Sequence, residues 1–228
     1  MIAVRPAAAR GHSAAHGMRT CHSFSCADYY DPAHMGFGPL RAINEISLDA
    51  GAAIPAQPRA NIDLLTWVLA GSVKRSGREI ALGVDELDVL AAGRGAVDEL
   101  ANASTRHAAR VLQVWIQPDR LNAVPQQCAF RFDGGSGIRP IAGHEGGAGA
   151  AKIRADTRVS VVRLQAGQRL RQPLCLDRRA WLQATSGRLL FNDVTINAGD
   201  GAATMHETII DLIAIDEGEW LLFDLPAF

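Results

Sequence analysis

The stretch Gly51-Ala-Ala-Ile-Pro-Ala-Gln57-Pro-Arg59-Ala-Asn-Ile-Asp63 leads directly into Leu64-Leu-Thr-Trp-Val-Leu69. The second segment is rich in branched and aromatic residues, and together with Ile62 and Asp63 it predicts a strand over residues 62–69. Side chains two residues apart on a strand point to the same face, so residues 57 and 59 are expected to point into one pocket.

Short strand-like segments continue on both sides of this stretch, separated by Gly, Asp and Asn turns. The first half shows them at 72–75, 78–82, 84–90 and 111–116, and the second half at 188–191 and 194–196. Helical periodicity is almost absent, which indicates an antiparallel sandwich or barrel. The second series repeats the order of strands and turns of the first, so the sequence predicts an all-β chain with two barrels.

The boundary between the two barrels is expected near a glycine-rich stretch at residues 133–149. We therefore expect an N-terminal barrel over residues 1–130 and a C-terminal barrel over residues 131–228. Within the first barrel, residues 85–88 are interpreted as a solvated turn and strand start. Trp67 and Trp115 are expected to pack between sheets.

Longer motifs are spread over nearly the whole chain. They include Arg10-Gly-His12, Asp28-Tyr-Tyr-Asp-Pro32, His34-Met-Gly-Phe-Gly-Pro-Leu-Arg41, Ala92-Gly-Arg-Gly95, Leu112-Gln-Val-Trp-Ile116 and Leu221-Leu-Phe-Asp-Leu-Pro226. Together with the spacing from Gly51 to residues 57, 59 and 63, these motifs resemble the pirin-like bicupins. Bacterial members of that family include quercetin 2,3-dioxygenases. The resemblance implies two tandem cupin barrels, with a metal site in the N-terminal barrel only.

The resemblance also implies where the metal ligands should be. In that family iron or another divalent metal is held by a His-Pro-His triplet and a later His-x-Glu, and the matching positions here are Gln57, Arg59, Asp98 and Leu100. Arginine has no lone pair to donate and carries a fixed positive charge. We therefore expect no metal cofactor in the first barrel. The four residues, with Asp63 as a neighbour, are expected to line its pocket.

Arg59 and Asp98 carry opposite charges at positions that should face each other. We expect them to form an ion pair that replaces the metal as a cross-link, with Gln57 and Asp63 supplying further hydrogen bonds. Two alternatives are open. In one, these residues are solvated at the barrel mouth without mutual contact. In the other, Asp63, Asp98 and Glu99 form a new site for a hard cation.

Bulk composition excludes several classes of partner. The net charge of −1 provides no basic surface for nucleic acid. No apolar run approaches the roughly 18 residues that a membrane span needs, and the N-terminus lacks the apolar core of a signal peptide. We expect a cytoplasmic monomer, since the second barrel already covers one face of the first.

Three functions are compatible with these observations. The first is a metal-free, non-catalytic bicupin that binds a small anionic or phenolic ligand, or a protein partner, at an arginine-lined cavity. The second is a quercetin 2,3-dioxygenase-like enzyme with a different set of metal ligands. The third is a regulatory protein similar to eukaryotic pirin, which acts as a transcription cofactor. The substitutions at the ligand positions favour the first.

Overall fold

The computed structural model describes residues 1–147 and 149–227. In that range the regular structure consists of strands β1–β21 and a 3-10 helix at Ala7–Ala9. No helix in the described part of the chain is long and apolar enough to cross a membrane. The strands are β1 Ile2–Arg5, β2 Gly11–Ala15, β3 Met18–His22, β4 Leu40–Leu48, β5 Ala53–Arg59, β6 Asp63–Ala70, β7 Val73–Arg75, β8 Glu86–Ala91, β9 Ala96–Asn102, β10 Ala109–Ile116, β11 Gln126–Arg131, β12 Gly137–Gly143, β13 Ala151–Lys152, β14 Arg158–Leu164, β15 Arg169–Pro173, β16 Arg178–Ala184, β17 Leu189–Phe191, β18 Val194–Ile196, β19 Gly201–Met205, β20 Ile209–Ala214 and β21 Gly218–Pro226.

The strands form two barrels, each built from a large and a small sheet. In the first barrel, a seven-stranded sheet of order β11-β8-β6-β10-β4-β3-β2 is joined by the three-stranded sheet β5-β9-β7. In the second, a seven-stranded sheet of order β1-β19-β16-β21-β14-β12-β13 is joined by the four-stranded sheet β15-β20-β17-β18. The predicted all-β architecture of two barrels is confirmed.

The first strand does not join the barrel that follows it in sequence. Strand β1 pairs antiparallel with β19, so Ile2 lies opposite Thr204 and Arg5 lies opposite Gly201. The N-terminus thus adds an edge strand to the second barrel. The division at residues 130 and 131 stays a prediction, and this exchange was not indicated by any sequence pattern.

One predicted strand is wrong. Residues 78–82 contain a bend and a single isolated bridge between Leu82 and Val73. The side chain of Ile80 is exposed because the segment has no neighbouring strand to cover it. The glycine-rich stretch 133–149 also contains strand β12, whose residues pair with β14 of the second barrel.

The large sheets of the two barrels pack against each other through their outer faces. Alternate residues of β6, such as Leu65 and Trp67, belong to an apolar cluster that also contains Val161 and Phe223 of the second barrel. Burial of each such side chain contributes about 1.5–3 kcal/mol. The residues between them, Thr66 and Val68, therefore point into the first barrel.

The inside of the first barrel is divided into an apolar and a polar part. Its apolar part is a cluster of aliphatic side chains: Ile46, Leu48, Ile54, Val68, Val73, Leu82, Leu100, Ala109 and Val111. The polar part, which lies towards the other ends of the same strands, contains the positions that the sequence marked as a pocket.

Candidate binding site in the first barrel

A row of buried polar residues crosses the large sheet inside the first barrel. Asp88, Thr66, Gln113, Asn44 and His22 lie on five neighbouring strands, and their Cα atoms are paired in register from β8 to β3. Each of these side chains is buried. Buried polar groups need partners, so this row must be satisfied from within the barrel.

Arg75 is the main hydrogen-bond donor to the polar residues at one end of this row. Its side chain is 1% exposed, and the carboxylates of Asp88 and Asp98 on either side of it are 0% exposed. Nε of Arg75 donates to Asp88, Nη1 donates to Asp98, and Nη2 lies 3.2 Å from the Thr66 hydroxyl. Burial opposes the charge of Arg75, but the two carboxylates outweigh it and raise the pKa of its guanidinium. The three residues form a buried ionic cluster.

Sequence reasoning missed this cluster. Residues 85–88 do contain a turn and the start of β8, as expected, but the prediction that this segment is solvated is wrong for Asp88, which is fully buried. Leu87 and Val89 face the second barrel, so the alternation of β8 turns Asp88 into the first barrel. On β7, Val73 and Arg75 share the inward face for the same reason. The alternation along β7 and β8 was the sequence signal for these buried charges, because it places a charged side chain on a face whose other residues are buried.

Arg59 and Asp98 lie close together, although Asp98 binds mainly to Arg75. Nε of Arg59 is 3.7 Å from Oδ2 of Asp98, an ion-pair distance that is too long for a hydrogen bond. Gln57 accepts a hydrogen bond from Nη2 of Arg59. The guanidinium carbon of Arg59 lies 4.2 Å from the ring centroid of Trp115, so the cation stacks on an indole that points into the barrel.

Leu100 and Asp63 have different surroundings from these residues. Leu100 is fully buried in the apolar cluster, opposite Ile54. Asp63 shares the face of Leu65 and Trp67, so it points towards the second barrel and accepts a hydrogen bond from the backbone N–H of Arg154 at 2.6 Å. The prediction that Asp63 supplies hydrogen bonds in the pocket is therefore wrong. Burial raises the pKa of Asp63, against the lowering effect of that hydrogen bond.

The opposite end of the polar row is formed by neutral groups. Nδ1 of His22 lies 2.8 Å from Oδ1 of Asn44, and Nε2 lies 2.9 Å from the Ser13 hydroxyl. Burial lowers the pKa of His22, and burial raises the pKa of the nearby Cys26 thiol, which accepts a hydrogen bond from Asn44. Both shifts favour the uncharged side chain.

The ionic end of the site carries an excess of positive charge. Arg78 lies 3.5 Å from Asp88, so three guanidinium groups, those of Arg59, Arg75 and Arg78, face the two carboxylates of Asp88 and Asp98. A surface cavity of about 430 Å³ adjoins Arg59. The side chain of Arg59 is 18% exposed and lines this cavity, whereas Arg75, Asp88 and Asp98 are almost fully buried.

Comparison with known proteins identifies the family. The family model described as Pirin matches residues 3–116, and the model described as the quercetinase C-terminal cupin domain matches residues 140–225. The quercetin 2,3-dioxygenase of Escherichia coli K12 is 31% identical, with 99% of each chain covered. This chain belongs to the pirin family. The pirin-like protein of Caulobacter vibrioides is also 31% identical, over 92% of this chain and 93% of the relative.

Solved structures of pirins agree with this assignment. The bacterial pirin YhhW from Escherichia coli has been solved in complex with nickel(II). It is 31% identical to this chain, covers all of both chains and superposes with a TM-score of 0.96. The present chain thus has the bicupin fold of that pirin. At the positions where the family resemblance implies metal ligands, it carries Gln57, Arg59, Asp98 and Leu100.

Those residues do not fit a divalent metal. Arg59 and Leu100 have no atom that can donate an electron pair, and the Asp98 carboxylate is bound by Arg75. Within the described residues, no group of three or more His, Cys, Asp or Glu side chains is arranged to hold a metal ion. The alternative prediction, a hard-cation site formed by Asp63, Asp98 and Glu99, is wrong, because Asp63 faces the second barrel while Asp98 faces inward.

Proposed function

We propose that this pirin is a metal-free, non-catalytic protein that binds a small anionic or phenolic ligand in its first barrel. The observation that supports this most strongly is the position of Arg75. Its guanidinium binds the side chain at position 98, where the family resemblance implies a metal-binding histidine. A fixed cation therefore stands beside the expected metal position.

The electrostatic cost of adding a metal to this cluster is large. Two unit charges about 4 Å apart interact with about 4 kcal/mol at an effective dielectric constant of 20, and the interaction with a divalent ion is twice that. Asp98 cannot offset this repulsion freely, because it already neutralises part of the charge of Arg75. The same excess charge attracts an anion.

Unpartnered polar atoms at the site indicate what the ligand would offer. Nε of Arg59 and Nε2 of Gln113 are buried donors without a hydrogen-bond partner, and Oδ2 of Asp98 is a buried acceptor without one. Two donors and one acceptor suit a ligand that has both an anionic oxygen and a hydroxyl group. Trp115 provides an aromatic surface beside them, which favours a planar ring.

Titration of the full chain with 2-hydroxybenzoate tests this proposal, because that probe carries a carboxylate and a phenolic hydroxyl. We expect saturable quenching of tryptophan fluorescence that is lost in Trp115→Phe. Arg59→Met should weaken binding about tenfold or more, since it removes a charge-assisted hydrogen bond. Arg106→Met is the matched control, because Arg106 is exposed and has no ion pair among the described residues.

Two results would count against the proposal. The first is binding that is equally strong in Arg59→Met and in the Arg106→Met control. The second is aerobic consumption of quercetin at a rate proportional to the metal content of the preparation, which would instead support an oxygenase similar to the relatives of that name.

A further inference from the structure

The outer face of the large sheet in the first barrel carries a cysteine and a histidine side by side. Cys21 of β3 is paired in register with His12 of β2 on one side and with Glu45 of β4 on the other. Residues directly opposite each other share a face of a sheet, and the neighbouring pair His22 and Asn44 points into the barrel. His12, Cys21 and Glu45 therefore lie together on the outer face.

The thiol and the imidazole are within hydrogen-bonding reach of each other. Sγ of Cys21 lies 3.4 Å from Nδ1 of His12. Cys21 is partly exposed and His12 is exposed, so a reagent in solution can reach both side chains. In the tautomer that carries its proton on Nε2, His12 accepts the thiol proton at Nδ1. A thiol beside a base is the arrangement that activates a sulfur nucleophile.

A cavity beside this pair has room for a small reagent. It has a volume of about 410 Å³, and Cys21 and His12 are part of its lining. The next row across the same three strands places Ala14, Arg19 and Ser47 in register on the outer face. Ala14 and Ser47 are small, which leaves the sheet open at this point. At about 30 Å³ for each water-sized group, the space holds about fourteen non-hydrogen atoms, which is enough for a disulfide with a short chain on each sulfur.

The cavity has more positive than negative groups around it. Glu45 is already paired with Arg10 at 3.2 Å and lies 3.7 Å from Arg110. Arg19 lines the cavity and pairs with Asp49 at 3.2 Å, and both of these side chains are exposed. An exposed ion pair is weak, so the guanidinium of Arg19 remains able to bind an anionic group of a reagent.

The other three cysteines of the chain lack this arrangement. Burial raises the pKa of Cys26 and of Cys128, which favours the less reactive thiol form. Cys175 is exposed, but within the described residues its thiol has no hydrogen bond to a histidine. Cys175 therefore serves as an internal standard for an accessible thiol without a base.

We infer that Cys21 is a site of thiol–disulfide exchange with small disulfides that carry carboxylates. The thiol proton moves to Nδ1 of His12 while the sulfur of Cys21 attacks one sulfur of the disulfide. The S–S bond of the reagent breaks, a new S–S bond forms to Cys21, and the departing sulfur takes the proton from His12 and leaves as a thiol. The disulfide is itself the oxidant, and Arg19 binds a carboxylate of the half that stays. This site is separate from the proposed pocket, which lies on the other face of the sheet.

The test is the rate at which the full chain forms a mixed disulfide with dithiodiglycolate at pH 7, followed by intact mass spectrometry. We expect one fast addition, which Cys21→Ser removes and which the matched control Cys175→Ser retains. Cys21 should react about tenfold or more faster than Cys175, because a positioned base assists the proton transfer. His12→Gln should remove most of this difference. At about pH 9.5 an ordinary thiol ionises without a base, so the native chain and His12→Gln should then react at similar rates.

Cystamine, a disulfide of similar size with positively charged ends, tests the charge of the site. With each rate divided by the rate of the same reagent with 2-mercaptoethanol, Cys21 should react severalfold faster with dithiodiglycolate than with cystamine, and Arg19→Met should abolish this preference. Both His12 and Arg19 are exposed, so their variants are expected to fold. The inference would be overturned by a fast addition that persists in Cys21→Ser or by equal rates for the native chain and His12→Gln at pH 7. A normalised rate with cystamine that equals or exceeds the rate with dithiodiglycolate would also overturn it.

Discussion

Replacement of Arg75 by methionine should strongly destabilise the first barrel. Methionine fills a similar length of side chain but leaves two carboxylates that are 0% exposed without their main partner. Among the residues that the structure describes, Asp88 would keep only Arg78 at 3.5 Å and a hydrogen bond from Gln127 at 3.3 Å. In the same part of the chain, Asp98 would keep only Arg59 at 3.7 Å.

The expected loss follows from the cost of an uncompensated buried charge. Removing one partner of a buried ion pair costs about 3–5 kcal/mol of unfolding free energy, and a typical domain has only about 5–15 kcal/mol in total. In the triple variant Arg75→Met, Asp88→Asn, Asp98→Asn, the unpaired charges are removed as well. Because neutral replacement of a whole buried ionic cluster is often close to neutral, most of the loss should be recovered.

Urea unfolding followed by tryptophan fluorescence measures these differences. Arg188→Met is the matched control, because Arg188 pairs with Asp216 at 2.6 Å but both side chains are about half exposed, at 52% and 48%. An exposed pair contributes little, so this variant should unfold close to the native midpoint. The reasoning would be refuted if Arg75→Met lost no more stability than the control, or if the triple variant were less stable than Arg75→Met alone.

Three other predictions concern neighbouring groups. Because burial lowers the pKa of His22 below 6.5, its contribution to stability should decrease as pH falls through that value, and His22→Gln should reduce the dependence of the urea midpoint on pH between about 5 and 7. Because burial raises the pKa of Asp63, ionisation should destabilise the folded state as pH rises above 3.8. The variant Asp63→Asn keeps an acceptor for the Arg154 N–H. It should therefore have a higher melting temperature than the native chain at pH 7 and an equal one at low pH. The combined variant Gln57→His, Arg59→His, Asp98→His, Leu100→Glu should bind nickel(II) weakly while Arg75 is present, and a further Arg75→Gln change should increase affinity in a calorimetric titration by at least tenfold.

The sequence predicted the two barrels well because short strands with turns between them are local features. The family resemblance also brought Arg59 and Asp98 into one region, because their positions match two metal ligands of the family. The prediction that Asp63 contributes to the pocket was wrong. A shift of one residue along a strand decides whether a side chain faces the pocket or the second barrel.

The remaining features depend on contacts between distant segments. Arg75 and Asp88 are ordinary surface residue types, and only the register between β6, β7, β8 and β9 shows that they meet inside the barrel. The pairing of β1 with β19 joins residues about two hundred positions apart, and no local pattern specifies such a partner.

The metal content of the chain tests the central claim most directly. The protein should be produced in medium supplemented with nickel and iron, purified without chelators, and analysed by inductively coupled plasma mass spectrometry. The buried cluster of Arg75, Asp88 and Asp98 predicts only trace metal, at the same level as in a sample treated with chelator. Near-stoichiometric nickel, iron, manganese or copper that is lost on chelation would contradict the account.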